Sequence, residues 1–294
     1  MDIGRVGIWS IALDTQPLSA AQDAVAELDE LGFAALWIPE ATGKEIMSHA
    51  ALLLAASRRM VVATGIANLW ARDATAMVNA QRTLTEGFPD RFLLGIGVSH
   101  TPAIAHRGHH GHQMASPLQV TRDYLTAMDA APYYGAPPAT GLHRILAALG
   151  PKMLRLAAEL TGGAHTYTVP VEHTEFARRH LGEGPLLIPE QKVVLVTDPG
   201  DARRIARANV SRVIRLPNYA NNLRRHGFTD DDLAGQGSDR LIDALVAWGT
   251  LDDIHRRVKD HLDAGADHVA LQVLTADPTT LPRREWGELA ALIH

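Results

Sequence analysis

The sequence predicts a (β/α)₈ barrel, and three observations carry that expectation. Short apolar runs alternate with amphipathic helical segments from Arg5 to Leu274, the pattern of βα units on a parallel sheet. The apolar runs number about eight, the count that closes such a sheet into a barrel. No Ser/Gly-rich linker divides the 294 residues, so one domain over 1–294 is expected. A doubly wound open sheet is the competing architecture, since it shows the same alternation.

In chain order, the expected strands are Arg5–Trp9, Ala34–Pro39, Met60–Asn68, Arg91–Val98, Arg144–Leu149, His165–Val169, Lys192–Thr197 and His268–Leu274. The first helix should run from Ser19, a candidate N-cap, through Ala24 and Leu28 to Leu31, with Gly32 ending it. Asp73 should cap a helix through Met77, Ala80 and Leu84, and Pro117 after Ser116 suits a first helical turn. Thr250 or Asp252 should start a helix to Ala264, closed by Gly265. Two stretches exceed the simple count. Residues 99–116 form a long loop after the fourth strand, and residues 209–249 form a mostly helical insertion between strands seven and eight. Insertions after barrel strands shape the active-site face.

Composition removes several functions. Lys plus Arg is 28 against 33 Asp plus Glu, a formal charge of −5, which disfavours a general nucleic-acid binder. With no cysteine, disulfide scaffolds, thiol nucleophiles and thiolate metal sites are excluded. The N-terminus enters a strand directly, without a basic segment and apolar core, and no apolar run reaches membrane-spanning length. A cytoplasmic protein acting on a small molecule is the expectation.

Barrel chemistry sits at the C-terminal strand ends. Glu40, after Leu36-Trp37-Ile38-Pro39, can act as acid or base, orient a cofactor ring, or simply cap the next loop. Gly65 in Thr64-Gly65-Ile66-Ala67-Asn68 marks a bulge, a ligand approach or relief of crowding. In Leu94-Gly95-Ile96-Gly97-Val98-Ser99-His100, glycines leave backbone N–H groups open, and His100 titrates near neutrality. No third glycine and no following helix complete a dinucleotide fingerprint. Leu149-Gly150-Pro151-Lys152 suits a helix N-terminus that can hold phosphate. His106, His109, His110 and His112 cluster with Arg107 but lack carboxylates at useful spacing. A solvated or substrate-facing loop is expected there, and no metal. Trp9, Trp37 and Trp70 near strand ends fit an apolar or planar partner as well as ordinary packing.

These strand-end segments, above all Ala63-Thr64-Gly65-Ile66 and Phe92-Leu93-Leu94-Gly95-Ile96-Gly97, resemble the bacterial luciferase-like flavin and deazaflavin enzymes in order and content. The likeness runs through nearly the whole chain except 209–249, and is nearest the actinobacterial branch that uses coenzyme F420. It implies a TIM-barrel oxidoreductase transferring hydride between F420 and an organic substrate. FMN is the alternative cofactor, in a monooxygenase. A non-catalytic flavin-binding protein and a metal-dependent hydrolase remain rival readings.

The resemblance further implies a non-prolyl cis peptide at Gly65–Ile66 beneath the cofactor ring, with Asn68 nearby. Cofactor contacts would fall at Gly97, Val98, Ser99, Leu149, Gly150, Pro151, Lys152 and Thr168. Lys44, Arg72, Arg107 and Lys152 are candidates to offer positive charge to its phosphate and acidic tail. His100 would be the proton donor or acceptor. Glu40 would be its partner, raising its pKa if ionised, or a ring-orienting group. A homodimer through Ile46–Ala56 and Ala74–Leu84 is expected by analogy. The chain departs from the sugar-phosphate dehydrogenase pattern in this class, where a histidine stands at Glu40 and a glutamate at His100. It also has Pro89-Asp90-Arg91 in place of the usual Gly-Arg.

Overall fold

The computed structural model describes residues 1–41, 43–100 and 116–293. Ten parallel strands are present among them: β1 Val6–Trp9, β2 Ala35–Ile38, β3 Val61–Thr64, β4 Ala67–Asn68, β5 Phe92–Gly97, β6 His143–Ala147, β7 Gly163–Thr166, β8 Leu186–Val194, β9 Val246–Trp248 and β10 Val269–Val273. Eight of them close a ring in the order β10-β1-β2-β3-β5-β6-β7-β8, sealed by β8 against β10 with Glu190 opposite Ala270. The short β4 pairs with β5, and β9 with β8. The barrel is the expected fold. An open sheet is excluded by the β8–β10 pairing.

Two strand boundaries need correction. β7 begins at Gly163 rather than His165, and β8 at Leu186 rather than Lys192. Pro189 and Glu190, ahead of the expected start, both lie inside a buried strand. Pro189 faces Thr166 in the β7–β8 pairing. Glu190 is retained by an ion pair described below.

Helix signals were mostly local and reliable. Asp73 caps Ala74–Gly87 through the Ala76 N–H, and Thr250 with Asp253 forms a capping box on Leu251–Asp263. Ser116 stands at the N-cap of Pro117–Ala130. Gly32 and Gly265 take the positive φ that ends a helix without a β-carbon penalty. The first long helix is Leu18–Glu30 with Pro17 at its N-cap, so Ser19 is its second residue and does not cap it. Residues 209–249 include the helices Pro217–Arg225, Asp230–Leu233 and Asp239–Leu245. Among the described residues no helix is long and apolar enough to cross a membrane.

Alternation along the strands divides two cores. Outward residues such as Ile8, Leu36, Val62, Leu94 and Leu271 pack under the helices. Inward residues Trp9, Trp37, Ala63, Leu93, Ile145 and Ile188 fill the barrel. Trp37 stacks on the His165 ring at 5.1 Å and donates its indole N–H to His268 Nε2 at 3.1 Å. His268 Nδ1 lies 2.9 Å from the Gly4 carbonyl and His165 Nδ1 2.9 Å from that of Ile188. A carbonyl only accepts, so both rings carry their proton on Nδ1. A cavity of about 500 Å³ lies at the N-terminal strand ends, lined by Ile3, Leu142, Gly162 and Leu186. That end of a barrel serves stability rather than chemistry.

Glycine relieves crowding where β3 meets β5. A β-carbon on Gly95 would overlap the Thr64 carbonyl oxygen, while the Thr64 hydroxyl donates to the Gly95 carbonyl at 2.7 Å and accepts its N–H at 2.8 Å. Gly95→Ala should therefore lower stability by about 1–3 kcal/mol or more, as overpacking of a dense interior does. Denaturant unfolding reads this; an unchanged midpoint would contradict the packing account.

Candidate active site

The C-terminal mouth is built on the bulge after β3. The Gly65–Ile66 peptide is cis, as the resemblance implied. The Gly65 carbonyl accepts the Trp9 indole N–H at 3.0 Å. A β-carbon on Gly65 would stand 2.8 Å from that indole nitrogen. On Gly97 it would stand 2.7 Å from the Ile66 side chain. Both glycines are thus explained first by neighbouring protein atoms.

Glu40 closes one side of the bulge. It accepts the Asn68 N–H at 2.7 Å and pairs with both Arg72 nitrogens at 2.6 and 3.0 Å. Arg72 also reaches Glu45, at 2.8 Å. Lys44 donates to the carbonyls of Leu13, Asp14 and Gln16. Neither cation is the open phosphate ligand the sequence suggested, because each is committed to protein acceptors. Arg107 and the His106–His112 cluster lie outside the described residues. Among the described ones no group of His, Cys, Asp or Glu could hold a metal ion. Asp90 takes the left-handed turn that the usual glycine would occupy. Arg91 clamps the Met60, Leu54 and Ser57 carbonyls.

His100 follows Ser99, itself at φ +61°. Its ring lies 5.3 Å from that of Tyr219, on the Pro217–Arg225 helix. Burial pushes His100 below its ordinary pKa, opposed by a hydrogen bond with the Asn218 side chain. The expected effect of Glu40, a raised pKa, is corrected: the carboxylate's charge is spent on Arg72, and burial governs the ring. Its Nδ1 is buried without a partner among the described residues.

Opposite the bulge lies a cluster that sequence reading missed. Glu190 and Lys192 both point inward from β8 and are wholly buried, 2.9 Å apart. Lys192 also donates to the Thr168 hydroxyl at 2.7 Å and sits 3.9 Å above the Tyr167 ring. Glu190 accepts the Thr168 N–H at 3.0 Å, holding that residue at φ +54°. Tyr167 donates to Gln272 on β10 at 3.0 Å. Burial lowers the Lys192 pKa, opposed by Glu190, and raises that of Tyr167. The available signal was Glu190 and Lys192 two apart, the spacing that puts both on one strand face. It was hidden because the strand was expected to begin only at Lys192.

After β6, helix Pro151–Leu160 starts with Gly150 as N-cap and no side-chain cap. A β-carbon on Gly150 would meet nothing within 4 Å. Among the described residues nothing fills the space beside the N-cap, and no side chain takes the first N–H groups of the helix, the arrangement that binds anions. His173 Nε2 donates to the Leu149 carbonyl at 2.9 Å and fixes the turn leading in. Lys152 is exposed.

A closed parallel barrel with its bulge, buried ion pair and uncapped helix at the C-terminal mouth defines a small-molecule enzyme of the TIM-barrel type. The chain belongs to the luciferase-like monooxygenase family, whose model matches residues 5–268. A Mycobacterium tuberculosis protein assigned by name to the coenzyme F420-dependent oxidoreductases is 28% identical, over 98% of this chain and 97% of its own length. The structure is similar to the coenzyme F420-dependent tetrahydromethanopterin reductase of Methanopyrus kandleri (TM-score 0.77, 16% identity, 98% and 97% of the two chains). It also matches an F420-dependent secondary alcohol dehydrogenase (0.76, 12%, 99% and 98%). A third likeness is the FMN-bound oxygenating constituent of 3,6-diketocamphane monooxygenase from Pseudomonas putida (0.73, 13%, 99% and 96%).

Two outcomes follow from the buried groups. Lys192→Met strands the Glu190 carboxylate and should cost about 3–5 kcal/mol, the usual price of half a buried pair. Adding Glu190→Gln should recover much of it; equal stability of the single and double variants in denaturant would refute the pairing account. The second outcome concerns acid. Burial lowers His165, His173 and His268 to about 4 and His261 to about 3. The unfolded chain, with histidine near 6.5, binds more protons in that window. Stability should be full above about pH 6.5 and fall toward about pH 4, each ring contributing up to about 1.4 kcal/mol per pH unit. A flat denaturation midpoint between these pH values would contradict it.

Proposed function

We propose that this chain is a two-electron oxidoreductase passing a hydride between coenzyme F420 and a small organic substrate. The observation that carries the cofactor reading is Gly150: its helix has no side-chain cap, and among the described residues nothing stands where a β-carbon of Gly150 would project, so a phosphate can meet free N–H groups there. A bound deazaflavin supplies the hydride chemistry, and the protein supplies position, shielding and proton handling.

In this reading Gly65, Ile66 and Asn68 back the ring. Gly97, Val98 and Ser99 flank its side chain, and Leu149, Gly150, Pro151 and Lys152 receive the phosphate. Thr168, held by Glu190 and Lys192, would lie near the cofactor or the substrate. Glu40 is a positioning residue, since it grips the Asn68 N–H. His100 handles the proton. Its lowered pKa keeps the ring neutral near pH 7, which equips it to accept a proton as substrate is oxidised. Assembly as a homodimer through Ile46–Ala56 and Ala74–Leu84 is part of the same proposal, with Leu52 exposed on the first helix.

The likeness to an FMN-bound monooxygenase component supports a second reading, flavin-dependent oxygenation on the same mouth. Titration of the purified protein with F420 and with FMN separates the two. Saturable F420 binding, with FMN weaker, is expected; the reverse order would favour the monooxygenase. With F420 saturating, His100→Gln should cut turnover by about 10²–10⁴ while cofactor affinity holds. A loss below about threefold, short of any such contribution, would remove His100 from the chemistry.

A further inference from the structure

A cavity of about 400 Å³ opens at the C-terminal ends of β1 and β10, against the Pro199–Val213 helix. Small-molecule sites commonly measure about 300–1,000 Å³. Two wall residues tie it to the reaction face. Trp9 lines it while donating to the Gly65 carbonyl. Gln272 lines it while accepting the Tyr167 hydroxyl. In the closed ring, β1 stands diametrically opposite β6, the strand that leads to Gly150. The cavity and the open helix N-terminus therefore lie on opposite sides of the mouth.

Its electrostatics are one-sided. The helix face toward the cavity carries Arg204, Ile205, Ala208, Asn209 and Arg212, a single stripe at helical spacing. Guanidinium groups stand at both ends and an amide between them. Among the described residues no carboxylate contributes to the wall, in a chain with more acidic than basic residues. The nearby Asp277 is bound within its own loop by the Thr279 and Thr280 hydroxyls. On another face of the helix, Arg203 and Arg207 pair with Asp239, and Arg203 also with Asp243. Arg204 pairs with Asp201. Among the described residues the Arg212 side chain makes no ion pair or hydrogen bond. The Asn209 Oδ1 atom is buried and receives no donor among the described residues. A wall of one sign concentrates ligands of the other, and a guanidinium matches a carboxylate's two oxygens.

We propose that this cavity is the substrate pocket and that it selects an organic acid. The apolar body would lie against Trp9, Ile205 and Leu274, its carboxylate on Arg212, with an N–H or O–H donated to Asn209. The substrate role rests on the reading that the hydride carrier occupies the mouth beside Trp9; the preference for an acid rests on the cavity wall alone.

The test is equilibrium binding of benzoate and of its neutral isostere benzamide to the cofactor-free protein at low ionic strength. Tryptophan emission gives the readout, since Trp9 and Trp286 line the cavity. Benzoate should bind at least about tenfold more tightly, one charge-assisted contact's worth. Arg212→Gln should abolish the difference, and Arg204→Gln should reduce it, with far-UV circular dichroism confirming that each variant folds. Equal binding of the two probes, or a preference that survives Arg212→Gln, overturns the assignment. Displacement of benzoate by saturating F420 would give the cavity to the cofactor's acidic tail and overturn the substrate role. If benzoate binds through Arg212 while F420 does not bind at all, the cofactor reading fails and the acid-selective pocket stands. If F420 binds and benzoate shows no preference, the pocket assignment alone fails.

Discussion

The mouth of this barrel depends on a carboxylate and an ammonium that never meet water. Glu190 and Lys192 point inward from one strand, and neither charge would be tolerated there without the other. Their surplus hydrogen-bonding capacity is directed onto Thr168, from its N–H to its hydroxyl. That fixes the turn after β7, and the Lys192 ammonium lies over the Tyr167 ring. Tyr167 in turn joins Gln272 on β10 and touches Trp9 at 5.2 Å on β1. One charged pair thereby sets four neighbouring strand ends. Beneath it, the barrel interior returns to Trp37, Ile145 and Ile188, so polar chemistry is confined to the upper layer.

The two flanks of the mouth are organised differently. Around the bulge, carboxylate and guanidinium are satisfied at the rim: Glu40 and Arg72 lock the Asn68 and Trp70 region, where Asn68 Oδ1 accepts the Trp70 N–H at 3.0 Å. Near Gly150, satisfaction is withheld: the helix has no side-chain cap, and among the described residues nothing fills the space beside it. A rigid wall and an unsatisfied one, facing the same opening, is what oriented binding of an extended, anionic ligand requires.

The barrel was legible because strand and helix periods differ and local caps are chemical. Asp73, Thr250 and Gly265 announced helix ends through their own side chains or lack of one. Strands β7 and β8 begin before the apolar runs that signal them, because Gly163, Pro189 and Glu190 are residues that strands ordinarily disfavour. Each is a close-packing or ion-pair solution visible only with neighbouring strands present. In the site, Gly65–Ile66 and Gly150–Pro151 were marked by unusual residues in unusual places. The commitments of Lys44 and Arg72 were not, since a free and a bound cation look alike in sequence. Arg72 meets Glu40 across 32 positions, and no local pattern encodes such a partner. The cluster of Tyr167, Glu190, Lys192 and Gln272 was hidden for the same reason.

Trp9 belongs to two structures at once, the carbonyl of the bulge and the wall of the β1–β10 cavity. That double duty limits how the family member can diversify. A new side chain at position 9 would disturb the platform along with the pocket, so drift there is heavily penalised. The opposite wall is freer: Arg204, Ala208 and Arg212 face the cavity from a helix held in the core by Ala202, Ala206 and Val210, with Ile205 alone serving both core and cavity. Variation among homologues should therefore concentrate on that stripe, with the indole held constant, and a library aimed at altered substrate range has its natural sites on the helix rather than on the strand.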